Sequence, residues 1–215
     1  MSALAKVLVS IPVVASVALV AAACGCGNEP AKQPAHPAVS KAEGIASFEI
    51  VRQDLQHARC QNCHPSGDAP LQGDLGLVHT QNVQRGPEGK GMPGQECTTC
   101  HGPANPPATY GNHIPPGVET GWRMPPPDHK MVFVNVPAAE LCEHIRDPKM
   151  NGNMDLKKLE EHVQDPLVAW GWTPGKGRSN LPVDRPTFLK AWHSWLDAGM
   201  PCPPAIGAAS TQAKN

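Results

Sequence analysis

Cys60-Gln61-Asn62-Cys63-His64 and Cys97-Thr98-Thr99-Cys100-His101 share one pattern, C-x-x-C-H, and the reading of that pattern decides the rest of the chain. In each, two thiols three positions apart lie on one side of a helical turn, and the next residue projects an imidazole. This is the attachment pattern of c-type haem: the thiols form thioethers to the two porphyrin vinyl groups and the histidine is the proximal ligand to iron. A four-cysteine zinc site is the competing reading, because paired C-x-x-C motifs also occur in zinc ribbons. The usual zinc gap is roughly 15 to 20 residues. Here the gap between the pairs is nearly twice that, and zinc leaves both histidines unexplained. Two disulfides, the third reading in an oxidising compartment, ignore the histidines as well. The expected cofactors are therefore two covalently attached haem c groups, on Cys60 and Cys63 and on Cys97 and Cys100, with His64 and His101 as proximal ligands. Only about 33 residues separate Cys63 from Cys97. That is too few for a complete small cytochrome domain around the first haem, so both haems should share one folded unit.

Working outward, residues 1–23 carry one basic residue, Lys6, then an apolar run ending in small residues before Cys24. This is a signal-peptide pattern, slightly short for a membrane span and without a stop-transfer charge cluster. Ala-Ala-Ala before Cys24 resembles a bacterial lipoprotein cleavage box, although Ala21 stands where Leu is usual, so Cys24 is expected to carry a lipid anchor. Cleavage after Ala23 is the alternative. Residues 24–43 are rich in Pro and Ala and read as an extended linker, reaching on the order of 60 Å in polyproline form. The folded domain is expected over 44–203 and a flexible tail over 204–215. Export and a periplasmic, membrane-anchored location follow.

The chain has 215 residues, five Trp, three Phe and one Tyr. Once the signal segment is set aside, it is lean in apolar side chains beside ordinary domains. A domain must offset its conformational entropy by burying apolar surface, and two porphyrins would supply what the side chains lack. The formal net charge of −1 gives no footprint for nucleic acid.

Over Ile45 to Cys60, residues Ile45, Phe48, Val51 and Leu55 form one helical stripe, so the first motif should sit at the end of a helix or just beyond it. From Pro65 to Pro137 the density of Gly, Pro, Asn and Asp predicts loops. Helices are expected over Ala138–Ile145, over Met154–Val163 with Asn153 as cap, and over Pro186–Ala198 with Asp184 or Arg185 near its start and Gly199 past its end. No strand signal stands out. The expected fold is mainly α with extensive loops, a compact single-domain dihaem cytochrome c-like unit with few or no strands.

For the sixth ligand of each iron, His79 leads among the remaining His and Met. Met131, in a loop after a polyproline turn, and His162, at the edge of an apolar helix face, follow level. His193 on its Trp-rich helix comes last. Cys142 and Cys202 most simply form a disulfide in an oxidising compartment, with a thiolate ligand to haem as the alternative. Cys26 has no assignment.

The stretches GDAPLQGDLGLVHTQNVQRG, CHGPANPPATYG, EEHVQDPLVAWGWTPGKGR and WLDAGMPCP resemble a family of exported dihaem proteins often labelled as an isoquinoline 1-oxidoreductase subunit. The resemblance runs from about Val39 to Pro203. It implies a dihaem cytochrome that accepts electrons from a periplasmic oxidoreductase, and it points to His79 and His162 as ligands. Electron transfer between a redox donor and an acceptor protein in the periplasm is the leading function. A dihaem enzyme with one open or labile haem position, such as a peroxidase or a sulfur-compound oxidase, is the alternative. A haem-based sensor comes third.

Overall fold

The computed structural model describes residues 39–205, which lie within one compact unit. The expectations for the signal segment, Cys24, Cys26, nearly all of the linker and residues 206–215 fall outside the described residues.

The first helix, α1 (Lys41–Leu55), begins earlier than the apolar stripe suggests because Ser40 and Glu43 close a capping box. The Ser40 hydroxyl accepts from Glu43 N at 3.2 Å and the Glu43 carboxylate accepts from Ser40 N at 2.8 Å. Its buried face is Gly44, Phe48 and Val51. A Cβ at Gly44 would lie 2.5 Å from Ala198 Cβ and 2.6 Å from Pro201 Cγ, so glycine is what permits this crossing of the chain end. The helix leaves the first motif just beyond its end, as expected. It stops at Leu55, and His57, in extended backbone, caps a separate short helix, α2 (Ala58–Gln61), by accepting from Arg59 N at 3.2 Å.

The middle third is loop, as expected, but it contains two small antiparallel hairpins. One pairs β1 (Leu71–Gln72) with β2 (Leu77–Val78), the other β3 (Gly91–Met92) with β4 (Gln95–Glu96). Strands of two residues leave too few positions for an alternating pattern to be read in the sequence.

Four helices follow: α3 (Ala138–Arg146), α4 (Leu156–Gln164), α5 (Pro166–Ala169) and α6 (Arg185–Asp197). Asp155 caps α4 in place of the expected Asn153, its carboxylate accepting from Lys158 N at 2.8 Å. Asn153 instead occupies a left-handed turn at φ 59. Asp184 caps α6, accepting from Thr187 N at 3.0 Å and Thr187 Oγ1 at 2.8 Å. The architecture is mostly helical with few strands.

Phe48 and Val51 of α1, Leu141 and Ile145 of α3, Leu159 and Val163 of α4 and Phe188, Trp192 and Trp195 of α6 form one apolar core. Residues of the second C-x-x-C-H segment take no part in it. The disulfide joins Cys142 of α3 to Cys202 beyond α6. It closes a loop of 60 residues, so replacing both cysteines with Ala should cost roughly 4 kcal/mol by loss of loop constraint. A urea midpoint identical to that of the native oxidised protein would count against this.

Asp54 is fully buried on α1. Val183 N donates to its Oδ1 at 3.0 Å, and Oδ2 has no partner. Burial lifts its carboxyl to about 6, the Val183 hydrogen bond opposing and nearby Asp184 adding to the rise. A carboxyl raised above its unfolded value prefers the folded state when protonated, so Asp54 costs stability as pH rises from about 4 through 6 and the cost is complete above that. Asp54→Asn should flatten this part of the stability profile. Thermal unfolding across that range checks it, and an unchanged slope would contradict it.

Candidate functional site

Cys60 lies in α2 and Cys63 and His64 just beyond it, on a tight turn in which Cys63 N donates to Cys60 O at 3.2 Å and His64 N to Gln61 O at 3.1 Å. Cys97 opens a single 3-10 turn, with Cys100 N and His101 N both donating to Cys97 O, at 3.2 and 3.0 Å. In both motifs the second Cys N donates to the first Cys O, which closes a turn between the paired thiols.

Their histidines are held alike. His64 Nδ1 lies 2.7 Å from the carbonyl of Met131, and its ring stacks on Phe133 with centroids 4.0 Å apart and planes at 6°. Phe133 N donates back to His64 O at 2.9 Å. His101 Nδ1 lies 2.8 Å from the carbonyl of Pro116, and its ring stacks on Trp122 at 4.5 Å and 9°. Val118 N donates to Gly102 O at 3.0 Å, and a Cβ at Gly117 would come within 2.3 Å of that same carbonyl. A carbonyl can only accept, so Nδ1 carries the proton in each ring and Nε2 keeps a free lone pair. This is the orientation that metal-ligating histidines show. Burial lowers the pKa of both rings, that of His64 to about 3 with neighbouring His162 adding to the effect. Both are neutral at pH 7, the state a metal requires.

Desolvation raises the thiols of Cys60 and Cys97 and pushes Cys63 up to about 11, which favours the neutral form of these three. A neutral sulfur suits a thioether better than a thiolate ligand or nucleophile. Among the described residues no three His, Cys, Asp or Glu side chains converge on one point, so the four motif cysteines do not make a tetrahedral zinc cluster. They are not paired as disulfides either.

A cavity of about 380 Å³ opens beside the second motif, lined by Cys97, Cys100, His101, Trp122 and Met124, and also by Cys63 and His79. That is within the range of small-molecule and cofactor sites. His79 faces His101 here, with ring centroids 6.4 Å apart. Two imidazoles bound to one metal from opposite sides, each through a bond of roughly 2 Å, would put their centroids roughly 6 Å apart. His79 Nδ1 is buried without a partner, and burial lowers its pKa. On these observations the residues fit an axially ligated haem.

His162 on α4 is exposed, and its charge bears on His64. Met131 meets His64 through its backbone. Its carbonyl lies on the Nδ1 side of the His64 ring, and its side chain packs on the apolar core. His193 is held at the surface by Glu160 Oε1 at 2.9 Å. Sequence reasoning missed the orienting groups, Phe133, Trp122 and the carbonyls of Met131 and Pro116. The carbonyls leave no side-chain signal, and the aromatic partners are brought in by loops.

No protein-family model matches the chain, and no curated protein or solved structure matches it at a significant level.

Proposed function

We propose that this chain is a c-type cytochrome. It is a dihaem electron carrier, exported and tethered at Cys24, that accepts electrons from a periplasmic oxidoreductase and passes them to a second redox protein, in keeping with the resemblance noted above. The observation that carries the reading is the matched setting of His64 and His101, each with Nδ1 against a backbone carbonyl, its ring on an aromatic plane and Nε2 free.

Bound haem supplies reversible one-electron chemistry at iron. Cys60 and Cys63, and Cys97 and Cys100, would anchor the two groups. His64 and His162 would ligate the iron of the first group, and His101 and His79 that of the second. The Met131 and Pro116 carbonyls keep each proximal proton on Nδ1. Phe133 and Trp122 fix the ring planes and keep water off them. Cys63 shares the cavity wall with Cys97 and is electrostatically coupled to it, which supports adjoining haems and electron passage between them. A second histidine opposite His101 argues against an open catalytic position there.

His79→Ala should turn the haem at the second motif high-spin, and His162→Ala the haem at the first, with both still attached. Met131→Leu should leave both low-spin. Optical and paramagnetic resonance spectra read the outcome, and a high-spin signal from Met131→Leu would restore the thioether as a ligand. The carrier role itself is tested by reductive titration of the native protein. Two electrons per chain should be taken up reversibly with negligible peroxide turnover. Rapid turnover by untouched protein would favour the enzymatic alternative.

A further inference from the structure

Two arginines line the cavity beside the second motif, and neither is explained by the attachment chemistry. Arg59 immediately precedes Cys60, and its side chain is 1% exposed. Its Nη2 pairs with Asp74 Oδ1, and its Nε is buried without a partner. Arg178 reaches the same cavity from the loop before α6, with Nη1 donating to Pro174 O at 3.1 Å and Nη2 to Ile114 O at 2.8 Å.

The charges at this wall do not balance. Two guanidinium groups face one carboxylate, Asp74, which is 42% exposed and also accepts from Ser179 N at 3.0 Å. The one acidic side chain that lines the cavity, Glu96, is exposed and is engaged by Gly94 N at 3.0 Å. Desolvation and then the charge of Arg59 bear against the charged form of Arg178, so the two cations stand close enough to repel. A desolvated excess of positive charge calls for an anion, and guanidinium groups match carboxylates in shape as well as charge.

We infer that Arg59 and Arg178 form the binding site for the propionate carboxylates of the haem attached at Cys97 and Cys100. The inference rests on the dihaem reading and deepens it. It has a structural consequence: Arg59 belongs to the first attachment segment, so that segment would hold the second haem by its charged edge while Cys60 and Cys63 hold the first haem covalently. The two cofactors would then be locked in mutual register by one stretch of chain, residues 59–64.

The test uses full-length protein made with haem-attachment machinery, comparing native, Arg59→Gln, Arg59→Lys and Arg178→Gln forms by haem count and by redox titration. Removing a positive charge beside the propionates stabilises the oxidised haem. Arg59→Gln and Arg178→Gln should each keep two haems per chain and lower one midpoint potential while leaving the other nearly in place. Arg59→Lys should restore the native value in part, which a packing role alone would not do. Should Arg59→Gln fail to fold because Asp74 is orphaned, the half-buried Arg178 decides the matter alone. Two haems with both midpoints unchanged in Arg178→Gln would overturn the propionate site and leave the dihaem reading standing. Native protein lacking two haems would overturn the dihaem reading itself.

Discussion

Replacing Cys97 and Cys100 together with serine should leave one haem per chain in place of two, and replacing Cys60 and Cys63 should remove the other. The effect is large because thioethers would be the only covalent tie under the proposed reading: histidine ligation alone would leave haem free to exchange. The two double variants should differ in stability as well. The first motif abuts the apolar core, since Cys60 packs against it. Around the second motif the buried residues are few, among them Arg85, Val118, Met124 and Trp170. That region wraps a cavity of about 380 Å³ and has little apolar filling of its own. Loss of the second haem should therefore loosen residues 80–125 selectively, seen as faster amide exchange there with α1 and α6 still protected. Uniform protection in the Cys97→Ser, Cys100→Ser form would show that this region folds without its cofactor.

Trp195→Ala should be the most damaging single change in the helical half. Trp195 is fully buried, sits 5.1 Å from Phe48 across the α1–α6 contact and 5.4 Å from Trp192, and donates from Nε1 to Pro201 O at 3.1 Å. Truncation opens a cavity at the helix crossing and orphans that carbonyl, together costing about 3 to 5 kcal/mol. With a urea dependence of about 1 to 3 kcal/mol per molar, the unfolding midpoint should fall by roughly 2 M. Exposed Leu75, by comparison, should tolerate Ala with little change. A Trp195→Ala midpoint within the scatter of the native value would show that the α1–α6 crossing is not the seat of stability.

How much of this was legible in the sequence depended on whether the signal was local. The C-x-x-C-H motifs, the Phe48 and Val51 stripe, α3, the Asp184 cap and the Cys142–Cys202 pair all rest on short-range patterns or on simple arithmetic, and the structure carries those elements. The Ser40-x-x-Glu43 capping box was equally local and sets the true start of α1, but the Pro/Ala-rich composition before it masked the boundary. Asp155 displaced Asn153 as cap because both residue types suit that position, and the left-handed turn at Asn153 was decided by the loop leading in. The site was less legible. His79 and His101 face one another through loops whose path no periodicity encodes. Met131 was read for its thioether, whereas its backbone carbonyl does the orienting, from a left-handed turn at φ 47 that its side chain does not announce. Arg59 and Arg178 gave no sign in the sequence that they share a wall.

The central claim is that each of the two motifs holds one haem, and a pyridine haemochrome assay on denatured, purified protein from a host with haem-attachment machinery tests it most directly. Covalent haem stays with the chain through denaturation and acid–acetone extraction. The account requires two haems per chain, with a mass increment to match. One haem, none, or bound zinc in their place would contradict it.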